Sequence, residues 1–287
     1  MRGCPCGTRS CGKMRTDIPP RSEKMSNWRH KPRTDRELNQ LVAPVNQVIR
    51  WLKTRRGFII GVGILKGGTG KSTTSLYLAL YCALVLNLDV AIVDTDDNSQ
   101  SLSRWYAMHL AMGDKIPFTL IEHPTKGKDA IPLKKRLKSI RGQYDVVIVD
   151  LGGGDKETFI DLCEKARLLF MPSAPSGWET DRIQATLQTA ASAARINLDG
   201  LDVYNFFVKC DFGSTLAEEE REAMALDLSE EDEDFIQPPF LHPYFDISKA
   251  PHHIRSWNAI PKRGDLEEWG LLIRHAMKGI IEEDEAA

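Results

Sequence analysis

Short apolar runs recur along this chain and alternate with stretches whose apolar residues fall every three or four positions. Phe58–Ile64 is the first run; Asp89–Val93, Pro117–Ile121 and Tyr144–Asp150 follow, then residues 167–172, 202–208 and 235–241. Runs this short, rich in β-branched residues, predict strands buried on both faces, as in a parallel sheet. Helical spacing predicts helices from about Ser72 to Asn87, over Ile131–Ile140, at 178–195 and 214–227, and from Asp265 to Ile281. Further upstream, Thr34-Asp35-Arg36-Glu37 has capping-box spacing. It predicts one helix from Asp35 to Lys53, kinked at Pro44. The alternation argues for an α/β fold: a doubly wound, mostly parallel sheet flanked by helices, with ligands at the C-terminal ends of the strands.

Charge divides the chain. Residues 1–57 hold 14 Lys/Arg against 4 Asp/Glu, and the remainder 24 against 36. Residues 1–33 lack apolar periodicity and read as a disordered basic arm. Met14 and Met25 inside it are alternative starts, which the intact mass of the native protein checks. The expected organisation is therefore the arm (1–33), an N-terminal helix and linker (34–57) and one folded domain (58–287). Cys4, Cys6 and Cys11 lack the usual zinc spacing, and the isolated Cys82, Cys163 and Cys210 read as core thiols. Residues 217–234 carry ten acidic side chains and one arginine, which reads as a solvated run. No apolar run approaches the roughly 18 residues of a membrane span and no signal peptide opens the chain, so a cytoplasmic protein is expected.

The first strand leads into Gly63-Ile64-Leu65-Lys66-Gly67-Gly68-Thr69-Gly70-Lys71-Ser72-Thr73, which satisfies the P-loop pattern G-x-x-x-x-G-K-[ST]. Its glycines let the backbone wrap around a polyphosphate and turn N–H donors inward. Residues 66–73 are the candidate ATP-binding set. Lys71 supplies a charge for the β/γ-phosphates and Ser72 a hydroxyl for Mg²⁺. The following helix directs its positive end at the same phosphates.

With a second lysine at position 66, K-G-G-T-G-K-S-T-T resembles the deviant Walker A motif of the ParA/MinD family of P-loop ATPases. The resemblance implies that Lys66 reaches across a homodimer to the partner's ATP. Asp94-Thr95-Asp96 resembles the start of the family's D-x-D-x-Q, which implies that Asp94 positions the attacking water near Mg²⁺. Asp97-Asn98-Ser99-Gln100 departs from the usual Pro-Gln-Gly, with one residue inserted. Asp150, after four β-branched residues, is the Walker B carboxylate for the metal. Ala166–Pro172 resembles a further family strand, and the base-binding segment is expected around Lys209 to Phe212.

The acidic C-terminus argues against the membrane-binding members. Among the family's trades, the resemblance is nearest to plasmid- or phage-type partition ATPases, which implies non-specific DNA binding, nucleoid association and a ParB-like centromere-binding partner. Candidate phosphate contacts are Lys249, Arg255, Lys262, Arg263, Arg274 and Lys278. Two readings compete: a conjugation, secretion or protein-positioning ATPase without DNA cargo, and a nucleotide-binding regulator with little turnover.

Overall fold

The computed structural model describes residues 34–65, 69–128, 130–175, 180–210, 215–230, 241, 245–247 and 260–286. Six strands, β1 (Phe58–Val62), β2 (Val90–Asp94), β3 (Thr119–Glu122), β4 (Val146–Asp150), β5 (Leu168–Ser173) and β6 (Asp202–Phe207), form one sheet in the order β3-β2-β4-β1-β5-β6. Every pairing is parallel. Each predicted strand from Phe58 to residue 208 is present, shifted by a residue or two; the one expected at 235–241 lies outside the described residues except for Leu241.

Alternate residues of the central strands feed two cores. Phe58, Ile60 and Val62 face one with Val146 and Ile148, whereas Ile59, Val147 and Val149 face the other. The first core is closed by α2 (Val45–Thr54), α3 (Lys71–Leu84), α4 (Ser101–Ala111) and α9 (Glu267–Ala286), the last entered through a 3-10 turn at Arg263–Leu266. The second is closed by α5 (Leu133–Ile140), α6 (Lys156–Cys163) and α7 (Thr180–Ala194), with Met224 of α8 (Leu216–Glu230). Both faces are covered, so the strands need no polar alternation.

The capping box forms: the Thr34 hydroxyl accepts from the Glu37 amide at 3.2 Å, and the Thr34 amide donates to the Glu37 carboxylate at 3.1 Å. The single kinked helix does not. Helix α1 (Asp35–Leu41) stops, Val42 is extended, and Pro44 becomes the N-cap of α2. Proline cannot donate to the preceding turn, but its fixed φ suits a helix start, so it divides the segment. Trp51 of α2 meets Phe58 edge to face at 5.3 Å. Cys82, Cys163 and Cys210 are buried; burial pushes the Cys82 thiol up to about 12 and that of Cys163 higher still.

Candidate nucleotide site

The glycine-rich turn leaves β1 at the sheet's C-terminal edge. The Gly63 amide donates to Phe170 O (3.0 Å) and the Leu65 amide to Thr186 Oγ1 (3.3 Å), which fasten the loop's first limb to β5 and α7. Lys66, Gly67 and Gly68 lie outside the described residues. On the second limb Gly70 has φ +84°, the left-handed region, and a Cβ there would stand 3.3 Å from Val208 Cγ2. Helix α3 starts at the next residue, with the Thr74 amide and hydroxyl both donating to Gly70 O at 2.9 Å. Thr69 is buried and its Oγ1 has no hydrogen-bond partner among the described residues. Thr73 is half-buried in the first turn of α3.

Register places Asp94 of β2 beside Asp150 of β4, both buried. Ser75 Oγ donates to Asp150 Oδ1 at 2.9 Å, while Asp150 Oδ2 is buried without a hydrogen-bond partner among the described residues. Burial, then repulsion from Asp94, pushes the Asp150 carboxyl up to about 7, against the opposing pull of Ser72, Ser75 and Lys71. Burial also raises Asp94, whose oxygens accept from the Asp96 amide (3.0 Å) and Ser103 Oγ (3.1 Å). Burial lowers Lys71, with Asp150 and Asp96 acting in the opposite direction. The Ser72 hydroxyl and two crowded carboxylates form an oxygen donor set suited to a hard divalent cation, and the Lys71 ammonium beside them suits a polyphosphate. The unpartnered Asp150 oxygen is where such an ion fits.

Three further side chains order this edge. Ser75 and Ser103 orient the two carboxylates. Thr95 joins their loops: its hydroxyl donates to Asp150 O at 3.1 Å and accepts from the Gly152 amide at 2.9 Å. The loops touch so closely that a Cβ on Gly152 would lie 2.8 Å from Thr95 O. The sequence marks Thr95 only as the middle residue of Asp-Thr-Asp, and nothing in spacing reveals that it faces Gly152.

The 97–100 stretch folds into a compact turn. Burial opposes ionisation of Asp96, but Ser99, Asn98 and Lys71 outweigh it and bring its carboxyl below the usual range. Its Oδ1 accepts from the Asn98 and Ser99 amides. Gln100, exposed at φ +46°, is the N-cap of α4. Asp97 Oδ2 accepts from the Thr125 amide (3.0 Å) and hydroxyl (2.5 Å), beyond the end of β3. In the expected base-binding segment, Lys209 has φ +64° and the Cys210 amide donates to Ile247 O; residues 211–212 lie outside the described residues.

The six candidate phosphate contacts are distributed differently. Lys249 and Arg255 fall outside the described residues. Lys262 is exposed, and Arg263 donates to Leu84 O at 2.7 Å. Arg274 Nε donates to Ala43 O at 2.7 Å and Lys278 Nζ to Gln40 O, so both tie α9 to the N-terminal helices.

The fold is that of a P-loop NTPase, and the chain is an ATPase. Residues 58–195 match the family model of the ATPase MipZ. No curated protein matches the chain in sequence. Among solved structures, a plasmid partition protein from Borrelia burgdorferi bound to AMPPNP is 16% identical (TM-score 0.56), covering 77% of this chain and 99% of that one. McdA from Cyanothece, in an ATP complex, is also 16% identical (TM-score 0.51; 75% and 94%). Cobyrinic acid a,c-diamide synthase from Mycobacterium smegmatis, with ADP and magnesium, is 18% identical (TM-score 0.50; 70% and 96%). At these identities the likeness is one of fold.

Proposed function

We propose that this protein is an ATP-dependent DNA-partition ATPase that works as a nucleotide-sandwich dimer. The observation that carries the ATPase chemistry is the pair Asp94–Asp150, buried side by side next to α3, with Asp150 Oδ2 lacking a hydrogen-bond partner among the described residues. In this reading the loop from Lys66 to Thr73 wraps the phosphates of ATP, and Lys71 neutralises their charge. Ser72 and Asp150 would hold Mg²⁺, with Asp94 close by, and the ion would neutralise phosphate charge. Asp94, fixed by Ser103, orients the attacking water. Phosphoryl transfer needs little covalent chemistry from the protein, so positioning and charge account for catalysis. Lys66 of each subunit completes the partner's site.

The ATP-bound dimer binds duplex DNA without sequence preference and associates with the nucleoid. Hydrolysis, stimulated by a ParB-like centromere-binding protein, releases it. Residues 34–57 extend the ATPase domain of residues 58–287. The partition proteins among the structural neighbours support the choice of trade by analogy of fold only.

The test is binding to arbitrary-sequence duplex DNA with ATP, with ADP and without nucleotide, across a salt series. Binding that requires ATP, weakens steeply with salt and is lost in Lys71→Ala and Lys66→Ala is expected. ATP-driven dimerisation without DNA binding would replace this reading with that of a protein-positioning, conjugation or secretion ATPase.

A further inference from the structure

The chain between β3 and β4 runs against the charge of the molecule. Residues 126–141 hold seven Lys/Arg and one Asp, within a body where acidic residues outnumber basic ones. Lys126 and Lys128 are exposed on the loop, and Lys134, Lys135 and Lys138 on α5. Lys134 is taken up by Asp161 (3.0 Å) and Glu164 (3.5 Å), and Arg141 by Asp199 (3.2 Å). Lys126, Lys128, Lys135 and Lys138 have no ion-pair partner among the described residues. Lys135 and Lys138 are three apart and so neighbours on one helix face. The opposite face of α5, Leu133, Leu137 and Ile140, is spent in the second core.

This loop is also wired to the nucleotide site. The Asp97 carboxylate accepts from the Thr125 amide and hydroxyl, immediately before Lys126. The His123 amide donates to Asp94 O at 2.8 Å two residues earlier. Asp94 and Asp97 therefore each grip the start of the basic loop.

We infer that the surface of Lys126, Lys128, Lys135 and Lys138 is the DNA-binding face, and that the Asp97–Thr125 clamp couples it to the nucleotide held at Asp94. The inference rests on the DNA-partition reading and assigns its partner a surface. A duplex phosphate backbone suits it better than a lipid surface, because α5 has no free apolar face to insert between headgroups. It also replaces Arg274 and Lys278, whose charges are committed to backbone carbonyls.

The experiment measures binding of a labelled arbitrary duplex by the full chain with ATP and with ADP across a salt series. The variants are Lys126→Ser/Lys128→Ser/Lys135→Gln/Lys138→Gln and, separately, Asp97→Ala. In the lysine variant the salt slope should become shallower by about 0.9 for each lysine that meets a phosphate. Its affinity should fall at least ~10-fold in 0.1 M salt, with basal ATP hydrolysis and melting temperature unchanged. Asp97→Ala should keep the ATP-state salt slope but lose most of the ATP-over-ADP preference. Wild-type slope and affinity in the lysine variant would overturn the assignment of the face and leave the DNA reading standing. A full nucleotide preference in Asp97→Ala would overturn the coupling. Failure of the wild type to bind duplex in any nucleotide state would overturn the DNA reading and the inference together. Binding to phosphatidylserine vesicles in place of duplex, lost in the lysine variant, would also overturn both.

Discussion

At the N-terminal edge of the sheet Asp145 meets Arg56 at 3.2 Å and Asp202 meets Arg167 at 2.9 Å, whereas at the C-terminal edge Asp94 and Asp150 face each other. The first pair is settled. Asp145 also accepts from the Asp89 amide at 2.9 Å, and nearby Asn197 Nδ2 donates to Cys163 O (2.8 Å) and Ala166 O (2.7 Å). The second pair is crowded and buried: Asp150 Oδ2 and Asp202 Oδ2 both lack a hydrogen-bond partner among the described residues, but Asp202 Oδ2 meets the Arg167 guanidinium whereas Asp150 lies beside a second carboxylate. Aspartates at the two edges of one sheet are therefore placed in opposite settings: at one edge they are paired with arginines, at the other they crowd each other.

The largest test of this contrast is Asp150→Asn. Loss of the carboxylate proposed to hold the metal should reduce Mg²⁺-ATP turnover at least ~100-fold, the scale of removing one preorganised electrostatic group. The same change should stabilise the nucleotide-free protein. A carboxyl near 7 when folded and near 3.9 when unfolded binds more protons in the native state between those values, so wild-type stability falls as pH rises through that window. The difference is worth at most about 4 kcal/mol, present in full above pH 7 and gone near pH 4. Urea unfolding of both proteins at pH 5 and pH 8 measures it; equal stability at pH 8 would mean that the crowding is relieved by solvent.

At the settled end, Arg167→Met should do the reverse. It leaves the buried Asp202 without its cation, at a cost of about 2–3 kcal/mol, discounted from the range for fully buried pairs because Arg167 keeps some solvent contact. Turnover per folded molecule should not change. A matching loss of kcat would show that the two ends are not independent.

The smallest effect belongs to Thr95. Thr95→Val keeps the shape but removes the hydroxyl between Asp150 O and the Gly152 amide, so kcat should fall about tenfold while KM for ATP holds. Thr95→Ser should restore most of the rate. A change confined to KM would make Thr95 a binding residue and not a positioning one.

The glycine-rich turn, the carboxylates ending β2 and β4 and the strand–helix alternation were legible because local chemistry sets them. A P-loop needs its glycines and lysine in one short stretch, and a doubly buried strand needs an unbroken apolar run. The misreading at Pro44 was also local: apolar periodicity continues through it, but the missing N–H wins. Ser75, Ser103 and Thr95 were not legible, because their roles depend on β2 and β4 lying side by side. The same holds for the basic charges. Arg274 and Lys278 read as surface cations until α9 is placed against Gln40 and Ala43.

That placement has a consequence for how the protein is made. Leu41 O and the His275 ring are 2.7 Å apart but separated by 234 positions, and Gln47 reaches Glu285 across 238. Ribosomes add about 5–20 residues each second. Roughly 12–50 s therefore pass between the emergence of α2 and that of the helix that covers it. For that interval Ile49, Leu52 and their neighbours lack their last cover, and the nascent chain relies on β1 and α3 or on a chaperone to shield them.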